Sequence, residues 1–143
     1  MKTKVLLAAL VGAVAAFLLG WVVYGMLLED YYKANSTEYA GLMKTEEEMQ
    51  IWAIFLFNLA WTSMFAWAFD KMPGTTNFGA GFVAGAILSV LIGLSYDLMF
   101  YAFMNLYAPV LIFVNIIINA VFGGIVGGVV AWMLGYSKKP AAA

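Results

Sequence analysis

The sequence predicts an all-α, polytopic membrane protein: four transmembrane helices in an up-down bundle, with a short interfacial helix in the first loop. Three observations lead there. Hydrophobic residues fill 65% of the 143 positions and charged residues only 10%, where a soluble domain carries about a quarter charged. The apolar residues gather in four runs, each near the roughly 20 residues that cross a hydrocarbon core of about 30 Å. The runs are continuous rather than alternating, so the backbone must satisfy itself within helices and not in a barrel.

The first run, about 5–28, follows Lys2 and Lys4 and contains Ala13-Val14-Ala15, features shared with a secretory signal. It continues through "FLLGWVVYGMLL", past the length of a signal core, and is read as a spanning helix. The acid-rich loop after it contains Asn35 and Glu38, spaced as a capping pair. They predict a short helix that rests Tyr39, Leu42 and Met43 on the lipid surface. Thr45 and Glu48 form a capping box ahead of the second span, 51–69, and the helix dipole favours Glu46 and Glu47 there. Pro73-Gly74 in "MPGTTNFG" marks a tight turn before the third span, 78–104. "NLYAPV" closes the second hairpin, with Pro109 placed where the fourth span, 110–136, begins. "SKKPAAA" over 137–143 reads as a flexible tail. At this length a single domain is expected.

Lysine placement orients the bundle. Lys2, Lys4, Lys71, Lys138 and Lys139 fall on the side of the termini, and only Lys33 and Lys44 on the other. Both termini are therefore expected in the cytoplasm. Trp21, Tyr24, Tyr31, Tyr32, Trp52 and Tyr107 then belong to the outer interfacial belt, and Trp67, Trp132 and Tyr136 to the inner one.

Composition removes much chemistry. With no Cys and no His, disulfides, thiolate or imidazole metal sites, bis-histidine haem ligation and Ser/His or Cys/His catalysis are excluded. Seven basic residues against eight acids leave no patch for nucleic acid. One acid within the spans gives no pair for acid/base work. The chain is expected not to be an enzyme, and to use no metal and no cofactor.

A spacing of four dominates three helices. The first carries Ala8, Gly12, Ala16, Gly20 and Tyr24; the third Gly81, Gly85, Ser89, Gly93, Asp97 and Tyr101; the fourth Asn115, Asn119, Gly123, Gly127, Ala131 and Gly135. The second is weaker, with Asn58, Thr62, Ala66 and Asp70. Residues four apart share a helix face, and small ones let backbones approach closely, which drives helix association where lipid supplies no hydrophobic incentive. Gly12, Gly20, Gly81, Gly85, Gly93, Gly123 and Gly127 are the expected packing positions, in a close-packed bundle or a homo-oligomer. The first and third stripes match at one fixed shift, Gly12 with Gly85 and Gly20 with Gly93. That is the pattern of a parallel repeat, or of one packing rule used twice.

"GLSYDLMFY" places Asp97 inside an apolar run. At 1.5 Å per residue it lies about 25 Å along its helix, level with Asn58 and Asn115 about 8–10 Å below the outer ends of theirs. Asp97, Asn58 and Asn115, joined by Tyr24, Tyr96 or Asn119, form the candidate polar cluster. One reading is a clasp in which amides and phenols satisfy the acid. The other is a proton or monovalent-cation site, because intramembrane acids mark ion pathways. A third has Lys33 or Lys44 reaching down from the loop.

With "GWVVYGMLL" closing the first helix and "GAGFVAGAILSVLIGLSYD" in the third, the chain resembles small bacterial four-helix integral membrane proteins of unknown function. The resemblance implies a multi-pass protein of the bacterial inner membrane and no activity. The function expected first is a non-catalytic membrane module, acting as a homo-oligomer or as an accessory subunit of a larger membrane complex. A small proton or cation transporter using Asp97 is the alternative, and binding of lipid or another apolar ligand a weaker one.

Overall fold

The computed structural model describes residues 2–136; the tail read over 137–143 lies outside the described residues. Its helices are α1 (Thr3–Val22), α2 (Glu29–Asn35), α3 (Ile51–Lys71), α4 (Phe78–Phe103) and α5 (Val110–Tyr136). A π-helical turn, Val23–Leu27, extends α1. Four helices, Thr3–Leu27, α3, α4 and α5, are long and apolar enough to cross a membrane. The side holding the start of α1, the 72–77 turn and the end of α5 is called here the terminal side, and the opposite one the loop side.

Local chemistry explains the junctions. Gly74 takes φ +82° in the turn between α3 and α4, a backbone conformation open to glycine at little cost. The Asn77 side chain then caps α4 by accepting from the Ala80 N–H at 3.0 Å. The Thr45–Glu48 capping box forms, but on a separate 3₁₀ turn, Glu46–Glu48, and α3 begins only at Ile51.

The first loop departs from expectation in register. Its short helix is α2, which ends at Asn35 instead of beginning there. Glu29 and Asp30 occupy the first turn and Lys33 the last, each where the helix dipole favours it. Beyond Asn35 the chain is taken up by tertiary pairing. Ser36 forms an antiparallel bridge with Tyr107, Thr37 N–H donates to Leu106 O at 2.7 Å, and Ala108 N–H donates to Asn35 O at 2.8 Å. Gly41, at φ +77°, turns the strip that carries Leu42 and Met43.

The spans pack as two hairpins. α1 lies against α3 and α5, α3 touches α5 lightly, and α4 is seated along α5 with no extensive contact to α1 or α3. The core lies among α1, α3 and α5 and includes Val5, Ala8, Ala16, Phe65, Phe69, Val126, Val130 and Leu134. α4 is the peripheral helix: 17% of its apolar window is buried, against 33% in α1 and α5.

The stripes of α4 and α5 interlock antiparallel, each step of four along one matched by a step of four back along the other. Gly81 meets Ala131, Gly85 meets Gly127, Ser89 meets Gly123, Gly93 meets Asn119, and Asp97 meets Asn115. A Cβ on Gly85 would stand 2.8 Å from Gly127 Cα, and one on Gly127 2.7 Å from Gly85 Cα. Only glycine allows that approach. Gly12 fills the α1–α3–α5 junction, where a Cβ would meet Val130 Cγ2 at 2.5 Å and Thr62 Cβ at 3.3 Å. Gly20 differs: its nearest neighbour, Phe122, leaves ordinary van der Waals room at 3.8 Å.

Two polar ties hold α1 to α3. Lys4 pairs with Asp70, whose second cation is Lys2 at 3.7 Å, so the acid at the unfavourable end of the α3 dipole is neutralised. Nearer the middle, buried Thr62 donates to Ala9 O at 2.8 Å while remaining 2.9 Å from Asn58 O on its own helix. Because that hydroxyl keeps a local acceptor, Thr62→Val is expected to cost only about 0.6 kcal/mol, within the range of interhelical bonds in lipid. Reversible unfolding in mixed detergent micelles measures it; a loss above about 2 kcal/mol would mean that the bond carries more of the α1–α3 contact than this geometry implies.

Candidate functional site: the polar cluster around Asp97

The α4–α5 ladder sets the site. One step past Gly93 and Asn119 toward the loop side, Asp97 faces Asn115. The Asn115 side-chain amide donates to both carboxylate oxygens, at 3.0 Å to Oδ1 and 3.1 Å to Oδ2. Tyr107, in the loop closing the same hairpin, donates its hydroxyl to Oδ1 at 2.7 Å. On the other face of Asn115, Tyr32 of α2 donates to its Oδ1. The Tyr24 ring packs on Tyr32 with centroids 5.8 Å apart and on Phe122 at 6.1 Å. Four segments of the chain thus gather around the acid of α4, which is 8% exposed.

Of the predicted cluster, Asp97 and Asn115 are bonded and Tyr24 joins through Tyr32. Asn119 sits one turn deeper, its amide against Gly93. Asn58 is elsewhere: its amide donates to Ile54 O at 2.9 Å within its own helix, because α3 does not adjoin α4. Tyr96 points away, 56% exposed, beside Phe100. Lys33 does not reach the acid, since its ammonium is held by Glu29 at 2.5 Å, and Lys44 forms no ion pair among the described residues.

The sequence places Tyr32 and Tyr107 in the interfacial belt, yet Tyr107 bonds Asp97 directly and Tyr32 bonds its partner Asn115. Burial, then the hydrogen bond to Asp97, pushes the Tyr107 phenol well above its ordinary value of 10.0. Burial raises Tyr32 likewise, followed by the neighbouring Tyr24 and Asp97. Both phenols therefore keep their protons and serve as donors at neutral pH.

A backbone cap covers the cluster on the loop side. Besides the Ser36–Tyr107 bridge, the Tyr39 hydroxyl donates to Asn105 O at 3.1 Å. Between α2 and the 104–109 loop lies an open cleft of about 480 Å³, lined by Asn35, Ser36, Thr37, Tyr101, Asn105 and Tyr107 among others. Tyr107 is both part of this wall and the hydroxyl partner of Asp97.

In the other direction the seam holds Asn119 and then Ser89, whose buried Oγ has no hydrogen-bond partner among the described residues. Past Ser89 the helices meet backbone to backbone at Gly85 and Gly127.

No family model, curated protein or solved structure matches the chain. The four apolar helices are compatible with an integral membrane protein. Any finer assignment rests on the chemistry of this cluster and on the surfaces the bundle leaves open.

Proposed function

We propose that the chain is a non-catalytic module of the bacterial inner membrane, with both termini cytoplasmic, that works as a homo-oligomer or as a subunit of a larger membrane complex. The observation carrying this is the seating of α4. Its glycine edge is spent on α5, and the opposite flank of Val83, Ile87 and Leu91 is more than half exposed along the span. That flank is free for lipid or for a further helix. The glycine stripes no longer supply the motive for assembly, since α4 and α5 use theirs on each other. In this reading Asp97 and its donors are a clasp that fixes the loop-side cap to the second hairpin.

The test is native mass spectrometry and light scattering of the protein extracted in mild detergent or lipid nanodiscs. A defined assembly larger than one chain is expected; a clean monomer with nothing co-purifying ends this reading.

A second reading has one specific observation behind it: Tyr107 joins the cleft wall to Asp97. Here Asp97 is a working acid that takes a proton or monovalent cation in transport. It predicts flux in liposomes that Asp97→Asn abolishes; absence of flux in the parent protein rules it out.

A further inference from the structure

We propose that Asp97 exchanges a proton with the loop-side aqueous phase alone, through the Tyr107 hydroxyl. This rests on one part of the second reading, that Asp97 takes a proton, and adds that it fills from one side, whether or not the proton is carried across.

Three observations carry the inference. Tyr107 is one of the residues lining the open cleft, and its hydroxyl donates to Oδ1 at 2.7 Å, so a single side chain links the cleft wall to the acid. Among the described residues no positive charge pairs with the carboxylate. The titratable groups around it are Tyr107 from the hairpin loop, Tyr32 from α2 and Tyr24 from the end of α1, while α5 contributes only the amides of Asn115 and Asn119. Finally, the polar file of Asp97, Asn119 and Ser89 ends where Gly85 and Gly127 bring the two backbones together, and a contact that excludes a methyl group leaves no room there for water.

The step balances without moving a heavy atom. A hydronium ion in the cleft gives a proton to Tyr107 Oη as the phenol's own proton passes to Oδ1. Water, a neutral phenol and a neutral carboxylic acid result. The hydrogen bond between Tyr107 and Asp97 reverses direction, and Asn115 continues to donate to Oδ2. Release runs the same path backward.

The experiment is infrared difference spectroscopy of the full chain, in proteoliposomes of one orientation, after pH jumps applied separately to each side. Acid on the loop side is expected to produce a carboxylic C=O band that is missing in Asp97→Asn. Tyr107→Phe keeps the ring and loses the relay, and is expected to slow the appearance of that band about a hundredfold, as for loss of a positioned proton-transfer group. Tyr96→Phe, away from the cluster, is expected to leave the rate unchanged. The side-specific jumps on the parent protein need no variant, so a Tyr107→Phe chain that fails to fold does not block the test. A band that answers acid from the terminal side, or an unslowed Tyr107→Phe, overturns the inference while leaving transport possible. A loop-side band without proton flux removes transport and supports the one-sided site. Absence of any Asp97 band overturns both.

Discussion

Gly85→Leu is expected to detach α4 from α5. The added side chain would start from a Cβ 2.8 Å from Gly127 Cα, and no rotamer relieves a clash with a neighbouring backbone. Overpacking in a rigid contact costs about 1–3 kcal/mol, and here the affected contact is the one that seats α4. The opposing gain in helix propensity, about 0.8–1.0 kcal/mol for replacing glycine, is too small to compensate. Gly79→Leu is the control: the nearest atom to its Cβ is Asn77 Oδ1 at 3.5 Å, so the same substitution is expected to be neutral or mildly stabilising. The chain has no native cysteine, so a cysteine pair engineered across the loop-side ends of α4 and α5 reports their separation directly. Crosslinking that is as fast in Gly85→Leu as in Gly79→Leu would show that the ladder does not hold the hairpin.

The behaviour of that ladder marks what can and cannot be read from a sequence. A spacing of four identifies a face, because helical geometry fixes it, but it does not identify the partner. Gly12 and Gly85 occupy matching places in their stripes. One meets the side chains of Thr62 and Val130 and the other meets backbone, so one packing rule accounts for their likeness as well as a repeat does. Helix ends, by contrast, lie within about two residues of the ends of the apolar runs, since the length of an apolar run is set by the thickness of the bilayer.

The cluster shows the same division. Asp97 and Asn115 were legible from depth, because facing residues on a hairpin share a level. Asn58 shares that level too, but depth carries no information about which helices adjoin, and α3 and α4 do not. Tyr32 and Tyr107 were hidden by their chemistry: a tyrosine near a helix end looks the same whether its hydroxyl meets water or a buried acid. Tyr107 lies in the loop that joins Asp97 to Asn115, so its position in a tight hairpin was the available signal. Tyr32 left none, since it arrives through the unanticipated placement of α2.

Asn115 is the residue on which the clasp turns, and Asn115→Leu is expected to be the most damaging single change in the cluster. The substitution is close to isosteric, so packing is largely kept. It removes the Asn115 amide's donation to both oxygens of Asp97, leaving Tyr107 on Oδ1, together with the acceptor of Tyr32. A buried acid that loses such donors costs about 3 kcal/mol, and the Tyr32 hydroxyl, at the polar edge of the span, adds about 1 kcal/mol before water replaces the bond. Asp97→Leu strands the Asn115 amide in the same way. The informative variant is the double one, Asn115→Leu with Asp97→Leu, in which nothing charged remains unpaired. If the cluster is a clasp, the double variant is expected to be more stable than Asn115→Leu by about 1–2 kcal/mol, because breaking a buried polar pair is costlier than replacing it. Unfolding in mixed micelles gives the energies, and amide exchange over residues 32–39 shows whether the cap has come loose. Losses that simply add would mean that Asp97 and Asn115 act independently, and the hydrogen bonds between them would then contribute nothing to holding the loop-side cap on the hairpin.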